Sequence, residues 1–295
     1  MIPGFIELDS PAKVNLMLSV HGPRDDGFHA LTSLVVALDF GDRLKIEIAS
    51  DQADALSCSD PAVPVGMSNL VLKAAAAFRA FSAKAVYFKF YLEKHIPMGA
   101  GLGGGSSNAS TALLGMNALL GEPLNQRELM EIAAQLGSDC PFFIDPRPSI
   151  MKGRGERIEP LDSESAAVLR GRALVLFCPD FRVETAWAYQ QLRECAPQGY
   201  ESEEIANERL NAFKDSRSVE SLLFNSFQQI VGRKYLALPT LLNDLDQKEV
   251  LSLMSGSGSC CFSILKESGV SSSQLNEICR YRWGDSLFWV ETLII

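Results

Sequence analysis

Residues 97–109 read PMGAGLGGGSSNA, in which five glycines are followed at once by two serines and an asparagine. An alternating, aromatic run at 86–94, VYFKFYLEK, predicts a strand before this stretch. The run at 106–121 predicts a helix after it. Glycine loses more backbone freedom on folding than any other residue. Five glycines at a junction between a strand and a helix therefore indicate a purpose beyond packing.

Two familiar glycine motifs fit this stretch poorly. The nucleotide-binding motif GxxxxGK[ST] is absent, because no lysine follows the glycines. Gly99, Gly101 and Gly104 do match the dinucleotide pattern GxGxxG. That pattern requires a second strand after the helix, ending near an acidic residue, whereas residues 126–136 predict another helix. A purely structural glycine loop is the remaining alternative.

A phosphate-binding loop at the start of a helix explains the composition best. Glycines let successive backbone N–H groups turn towards one anion, and no Cβ blocks its approach. The start of the helix adds unsatisfied N–H groups and the positive end of the helix dipole. The hydroxyls of Ser106 and Ser107 can cap the helix, donate to phosphate or reach a metal ion.

The composition narrows the class of protein. The 295 residues carry a formal charge of −9 and contain no long Lys/Arg run, which argues against nucleic-acid or membrane partners. The N-terminus lacks the pattern of a signal peptide, and no apolar stretch approaches the roughly 18 residues of a membrane helix. Seven cysteines without a CxxC pair predict buried thiols in a reducing cytoplasm.

The remaining patterns predict an α/β chain with a boundary near 150–160. The first half predicts a half-buried strand at 12–20, a turn at Asp26-Gly27, strands at 31–38 and 43–49, and helices at 68–83 and 126–137. The second half predicts strands at 173–178, 249–254, 260–265 and 286–294, and helices at 184–194, 218–231, 238–246 and 271–281. This order is typical of a ferredoxin-like, split βαβ layer. The polar segment 197–216 predicts a mobile loop.

Together with the glycine stretch, four other segments resemble motifs of the GHMP kinase family. They are SPAKVNLML (10–18), DDGFHALTS (25–33), LGSDCPFF (136–143) and SGSGSCCF (255–262). The resemblance implies an α/β (α+β) fold of two domains with the active site in the cleft between them. Residues 1–155 would form a ribosomal-S5-domain-2-like ATP domain, and residues 156–295 a ferredoxin-like domain.

The expanded GLGGGSSN core and the DGFH segment resemble one branch of that family. Its members phosphorylate the 2-hydroxyl of a cytidine-diphosphate-linked methylerythritol, so the resemblance implies this small-molecule substrate together with ATP and Mg²⁺. Two alternatives stay open. One is a GHMP kinase for another small alcohol, such as homoserine or a mevalonate derivative. The other is a non-catalytic nucleotide-binding module, although the presence of both Lys13 and Asp139 argues against it.

The resemblance assigns the chemistry to Lys13 and Asp139. Asp139 would be the general base, although the local sequence also fits a helix N-cap. This chain has Ser138 where the family usually has alanine. Lys13 would stabilise charge as the hydroxyl loses its proton, although a lysine on a strand is often a solvated surface charge. Asn15 lies on the same strand face and would contact the acceptor or a phosphate.

The other site residues follow from the same resemblance. ATP would be held by Asn69, Lys94, Pro97, Met98, Gly99, Ala100, Gly101, Leu102, Gly103, Gly104, Gly105, Ser106 and Ser107. The acceptor would be held by Asn15, Phe28, His29, Tyr189, Gly256, Ser257 and Gly258, with Trp187 as the second choice for the distal aromatic ring. His29 would read the cytosine edge while Phe28, where tyrosine is common, stacks on the base. The Mg²⁺ ligands stay open, with Ser107 and Asp139 as candidates.

Overall fold

The computed structural model describes residues 4–266 and 269–295. The strands are β1 (Phe5–Pro23), β2 (His29–Ile48), β3 (Ala55–Cys58), β4 (Phe88–Glu93), β5 (Ser149–Gly153), β6 (Arg157–Pro160), β7 (Ala173–Cys178), β8 (Phe224–Asn225), β9 (Ser252–Met254), β10 (Cys261–Ile264) and β11 (Phe288–Leu293). The helices are α1 (Leu70–Ser82), α2 (Gly104–Leu119), α3 (Gln126–Leu136), α4 (Ser163–Leu169), α5 (Thr185–Glu194), α6 (Glu203–Ser216), α7 (Ser226–Lys234), α8 (Ala237–Asp246) and α9 (Ser272–Trp283). Two short 3₁₀ helices span Cys140–Ile144 and Val219–Ser221.

The strands form two sheets. The larger sheet has the order β3-β4-β2-β1-β8, with β5 pairing with β2 and β6 pairing with β5. The smaller sheet is antiparallel and has the order β11-β7-β10-β9. A mixed larger sheet and an antiparallel smaller sheet, with helices between the strands, confirm the predicted α/β class.

The chain forms two compact units that alternate along the sequence. The first contains the described residues up to Ala12, then Phe40–Met98 and Gly103–Pro146. The second contains Lys13–Asp39, Gly99–Leu102 and Arg147–Ile295. The domain bounds 1–155 and 156–295 and the cleft location of the active site stay predictions.

In the first unit, the packing of α2 on β2 fixes where the glycine loop ends. Small and apolar side chains of α1, α2 and α3 pack on β2, β3 and β4, and Phe78, Phe88 and Met116 are almost completely buried. Gly115 lies in the middle of α2, where a Cβ would come within 2.2 Å of the Ile46 side chain. Glycine at this position therefore permits close contact between helix and strand.

In the second unit, β1 departs from the prediction of a half-buried strand. Lys13, Asn15, Met17 and Ser19 are at most 5% exposed, as are the apolar residues between them apart from Leu18 at 6%. Alternation in the sequence predicted one solvent-exposed face, but the side chains on both faces of this part of β1 are buried. The idea that Lys13 is a solvated surface charge is therefore wrong.

Other differences arise where tertiary packing overrode local sequence signals. The two strands expected at 31–38 and 43–49 are one continuous strand, β2. Residues 197–216, expected as a mobile loop, contain α6, whose buried residues Ala206, Leu210 and Phe213 recur at helical spacing beneath a polar surface. The single helix expected at 218–231 is a 3₁₀ turn followed by β8 and α7.

The polar connection after residue 146 also contains more structure than predicted. Its proline, glycine and arginine content suggested a boundary segment, yet β5 and β6 pair in it as an antiparallel hairpin. Helix α4 follows directly, capped by the Asp162 carboxylate. Among the described residues, no helix is both long and apolar enough to cross a membrane.

Candidate active site

The second half of the glycine loop opens helix α2 in the first unit. Gly103 is the N-cap with φ of +73°, and no side chain caps the helix within the described residues. A Cβ on Gly104 would contact Ile96 and the Lys94 Nζ atom at 3.1 Å, whereas a Cβ on Gly105 would meet only Leu70 at 3.8 Å. Gly105 is exposed and lies in the helix, where alanine would be more stable. An open, uncapped helix start of this kind can bind an anion.

A buried polar network lies beneath this helix start. The Asp42 carboxylate accepts hydrogen bonds from Lys94 Nζ at 2.5 Å and from Asn108 Nδ2 at 2.9 Å. Asn108 Nδ2 also donates to Ser10 Oγ at 2.8 Å, and Ser10 Oγ donates to Ser107 Oγ at 2.8 Å. Because every member is almost completely buried, the network holds the first turn of α2 in place.

Three of the residues predicted to bind ATP make hydrogen bonds to other residues of this unit. Lys94 pairs with Asp42, and the Ser107 side chain is fully buried against Ser10. Asn69 caps α1, because its Oδ1 atom accepts from Val71 N at 2.9 Å. Sequence reasoning missed Ser10, Asp42 and Asn108.

The first half of the loop belongs to the second unit and contacts the serine- and glycine-rich turn 255–259. Gly101 has φ of +81°, and a Cβ on it would lie 2.2 Å from the Ser255 carbonyl oxygen. Ser255 Oγ donates to the Gly101 carbonyl at 3.1 Å, and Cys260 N donates to that of Ala100, also at 3.1 Å. The side chains of Ala100 and Leu102 are buried, so these residues can offer a ligand only their backbone.

The two residues that open the predicted loop are partly buried. Met98 packs against the hydrophobic core of the first unit, and Pro97 precedes it with intermediate exposure. Gly99, in the second unit, is exposed and has φ of +67°.

Lys13 and Asn15 form one hydrogen-bonded group with the 255–259 turn. Lys13 Nζ donates to Asn15 Oδ1 at 2.6 Å, and the same oxygen accepts from Gly256 N at 3.1 Å. Asn15 Nδ2 donates to Ser33 Oγ at 2.8 Å. The amide thereby orients the lysine ammonium group in a place from which water is largely excluded, where its charge acts strongly.

Hydrogen bonds within the turn and to neighbouring parts of the second unit occupy many of the polar groups of the turn. Gly256 N donates to Asn15, Gly258 N donates to the Ser255 carbonyl at 3.0 Å, and the Ser257 hydroxyl pairs with Thr185 Oγ1 at 2.9 Å. Asn225, which sequence reasoning missed, donates from Nδ2 to the carbonyls of Met254 and Gly256. The turn is therefore a rigid, pre-organised element next to Lys13.

Asp139 lies between α3 and the 3₁₀ helix Cys140–Ile144 in the first unit. It occupies the N-cap position, but its side chain makes no capping hydrogen bond. The structure therefore does not support helix capping as the reason for an aspartate here. Burial raises the pKa of the neighbouring Cys140 thiol to about 11, which keeps that thiol protonated at neutral pH.

Aromatic residues surround His29 in the second unit. The Tyr189 ring centroid lies 4.8 Å from that of His29, and the Tyr200 ring lies at 5.9 Å. Phe28 is 48% exposed, with the Arg154 guanidinium 4.9 Å from its ring. Trp187 contacts Tyr235 edge-on and has the Lys234 ammonium group over its ring. Of the two aromatic candidates that the sequence offered, Tyr189 lies beside His29 and Trp187 contacts Tyr235.

Arg193 and Tyr200, which the sequence patterns did not single out, determine the state of the His29 ring. Arg193 Nε donates to His29 Nε2 at 3.4 Å, and the Tyr200 hydroxyl lies 3.3 Å from the same nitrogen. Nε2 is therefore the acceptor, and the neutral ring carries its hydrogen on Nδ1. Burial, followed by the positive charge of Arg193, lowers the pKa of His29 below its ordinary value.

This arrangement predicts how ligand binding at His29 depends on pH. The resemblance implies a cytidine diphosphate ligand at His29, and we expect its affinity to weaken only at a pH below the ordinary histidine pKa of about 6.5, because burial and Arg193 keep the ring neutral to lower pH. Arg193→Gln removes the neighbouring charge and raises the pKa of His29, so the loss should begin at higher pH. Titration calorimetry at a series of pH values gives the pH at which half of the affinity is lost, for the wild type and for Arg193→Gln. Arg233→Gln is the control for charge, because the Arg233 guanidinium contacts Cys195 rather than His29. The same pH midpoint in Arg193→Gln and the wild type would contradict the assignment.

Comparison with known proteins identifies the class. Residues 69–146 match the family described as GHMP kinases N terminal domain, a range that includes the glycine loop, α2 and Asp139. A mevalonate kinase from Methanococcus jannaschii shares the fold, with a TM-score of 0.74 at 13% identity over 98% of each chain. The fold and the helix-opening glycine loop define a GHMP kinase, an ATP-dependent enzyme that phosphorylates a small molecule.

Proteins of higher sequence identity show to which family within the GHMP kinases the chain belongs. A 4-diphosphocytidyl-2-C-methyl-D-erythritol kinase from Citrifermentans bemidjiense is 34% identical over 94% of this chain and 95% of its own length. One from a Synechococcus species is 37% identical over 89% and 88%. A crystal structure of 4-(cytidine 5'-diphospho)-2C-methyl-D-erythritol kinase gives a TM-score of 0.76 at 32% identity, covering 98% of this chain and all of the other. The chain belongs to the 4-diphosphocytidyl-2-C-methyl-D-erythritol kinase family.

Proposed function

We propose that this chain transfers the γ-phosphate of ATP to the 2-hydroxyl of 4-diphosphocytidyl-2-C-methyl-D-erythritol, giving the 2-phosphate and ADP. Family membership over nearly the whole chain supports the acceptor. The observation that carries phosphate binding is the uncapped start of α2, with an exposed glycine where alanine would otherwise fit. Backbone N–H groups and the helix dipole there replace the lysine of other nucleotide loops.

In this proposal Asp139 removes the proton of the acceptor hydroxyl. Phosphoryl transfer depends mainly on positioning and on neutralising charge around the moving phosphate. Lys13, held by Asn15, lowers the pKa of that hydroxyl and stabilises the oxygen as it becomes negative. That both side chains act on the same hydroxyl rests on the family resemblance.

Mg²⁺ belongs to the proposal as the partner of the ATP phosphates, whose charge it neutralises when bound. The described residues contain no group of three His, Cys, Asp or Glu side chains arranged to hold a metal ion. Magnesium commonly uses one or two carboxylates, with phosphates and water completing its shell. Asp139 can supply such a carboxylate, whereas the Ser107 hydroxyl is buried and already accepts from Ser10.

The cytosine of the acceptor would bind at His29. The Nδ1–H group of the neutral ring can donate to N3 of cytosine, which is an acceptor. Uracil carries a hydrogen at N3, so its N3–H group and the His29 Nδ1–H group would be two donors that face each other. Phe28 and Tyr189 offer the aromatic surfaces for stacking on the base.

A phosphorylation assay with a set of acceptors tests the proposal. We expect turnover of the cytidine-diphosphate-linked substrate, about 100-fold or more lower kcat/KM for its uridine analogue, and none for homoserine or mevalonate phosphates. His29→Ala should raise KM for the cytidyl substrate, because it removes the group that reads the base. Turnover of homoserine or a mevalonate derivative would establish the alternative acceptor. Nucleotide binding without turnover of any acceptor would establish a non-catalytic module.

We further propose that the enzyme works in a reducing cytoplasm with small molecules as its partners, without nucleic acid or membrane. All seven cysteines are free thiols, which supports a reducing compartment. The net charge of −9 supports the absence of a polyanionic partner.

A further inference from the structure

Two cysteines oppose each other at the end of the smaller sheet. Strands β7 and β10 pair with Cys261 opposite Phe177, so continuing the antiparallel register by one residue places Cys260 opposite Cys178. The side chains of both residues are buried. Cys260 Sγ also lies 3.6 Å from the Phe177 carbonyl oxygen.

The backbone geometry suits a covalent link between these thiols. Cys260 N donates to Ala100, and the Cys260 carbonyl accepts from Ser255 N at 2.8 Å, so neither group is bonded to Cys178. Cys178 and Cys260 are therefore a non-hydrogen-bonded cross-strand pair, for which Cα atoms lie about 4.5 Å apart. Disulfides span Cα separations of about 4.4–6.8 Å.

The pair adjoins the proposed site. Cys178 Sγ lies 3.5 Å from Ser259 Oγ, and Ser259 Oγ donates to the Phe181 carbonyl at 2.5 Å. Through its backbone, Cys260 holds both Ser255 of the turn and Ala100 of the glycine loop. Any change in the position of Cys260 is therefore transmitted to two elements that contact a proposed ligand.

We propose that Cys178 and Cys260 are a reversible oxidation site, whose disulfide displaces the 255–259 turn and lowers phosphoryl transfer. The activity part of this proposal rests on the proposed function, and the chemical part does not. The neighbouring Cys260 side chain lowers the pKa of Cys178, while burial raises that of Cys260 well above its ordinary value. Cys178 is thus the nucleophile and Cys260 the resolving thiol.

The oxidant is a peroxide, and the reaction takes two steps. The Cys178 sulfur attacks one oxygen of hydrogen peroxide, an S–O bond forms, the O–O bond breaks, and the departing hydroxide takes the thiol proton to become water. The Cys260 sulfur then attacks the Cys178 sulfur, an S–S bond forms, and the S–O bond breaks. The second hydroxide leaves as water with the Cys260 proton. Two thiols are oxidised and one peroxide is reduced to two water molecules.

Peptide mapping of the full chain tests the chemical part. The reduced protein is treated with hydrogen peroxide, alkylated, digested without reductant and analysed by mass spectrometry. We expect a cross-linked peptide pair containing residues 178 and 260 that is lost after dithiothreitol. Cys178→Ala and Cys260→Ala should each abolish it, whereas Cys58→Ser, which changes a partly exposed thiol of β3, should not. Recovery of residues 178 and 260 in alkylated form only would overturn the proposal.

The activity part uses the same samples. We expect peroxide to lower kcat/KM by about tenfold or more, with recovery after dithiothreitol, because small displacements at a reacting centre are costly. Cys178→Ala should lose this sensitivity, and the Cys58→Ser variant should keep it. A mapped disulfide with unchanged turnover would refute the effect on the turn. Absence of turnover in the reduced protein would count against the proposed function alone, since the mapping does not depend on activity.

Discussion

Asp139→Asn should lower kcat by about 100-fold or more while ATP binding persists, which is the typical contribution of a general base. The substitution preserves the shape of the side chain but removes its ability to accept a proton. Because Asp139 makes no capping hydrogen bond, the 3₁₀ helix that follows should not lose stability through its cap. Steady-state kinetics with the cytidyl substrate give kcat, and titration calorimetry gives the affinity for ATP.

Asp145→Asn is the matched control for this experiment. Asp145 lies at the other end of the same 3₁₀ helix and has a similar, intermediate exposure. Its variant should keep nearly full kcat, because the proposal gives Asp145 no contact with the reacting atoms. Normal turnover in Asp139→Asn would refute the assignment of the base. An equal loss in both variants would show that the effect is structural.

Asp42→Asn should lower the free energy of unfolding by about 3–5 kcal/mol, because it leaves the buried Lys94 ammonium group without a counter-charge. The Asp42 carboxylate also accepts from His95 N at 2.7 Å and from Ile96 N at 2.8 Å. Asparagine can satisfy these backbone groups through Oδ1, but its Nδ2 would then oppose Lys94 and Asn108. Urea denaturation followed by circular dichroism measures the change.

A second variant separates the charge effect from simple misfolding. Asp42→Asn combined with Lys94→Met removes both members of the ion pair, so part of the lost stability should return. Asp51→Asn is the control for an exposed pair, since Asp51 is 62% exposed beside Lys89 and should change stability by at most about 1 kcal/mol. If the double variant is no more stable than Asp42→Asn, the ion pair does not explain the loss.

Local sequence patterns predicted the positions of most helices and strands, but not which residues cover each face of them. The helical period of the apolar residues located α3 almost to the residue, and a continuous apolar run located β7, which is buried on both faces. Helix α6 was missed because only its three buried side chains mark the period, within a segment that is otherwise polar. For β1 the alternation was correct and the inferred wet face was wrong, since a strand sequence does not reveal what covers its polar side.

Some residues of the candidate site could likewise be predicted from the sequence, and others could not. The composition of the chain pointed to the glycine loop, and the resemblance of short motifs to a known family pointed to Lys13, Asp139 and His29. Tyr200 and Arg193 could not be found from the sequence. They lie 171 and 164 positions from His29, and no local spacing relates them to it.

The sequence by itself determined the α/β class, the helix-opening glycine loop and the kinase family, since each depends on residues that are neighbours along the chain. Only the tertiary structure decided which groups are buried together. It paired Lys94 with Asp42, joined Lys13 through Asn15 to Gly256, and placed Cys260 opposite Cys178. The physical reason is that hydrogen bonds, ion pairs and disulfides form between atoms a few ångströms apart, and chain folding sets that separation independently of distance in sequence.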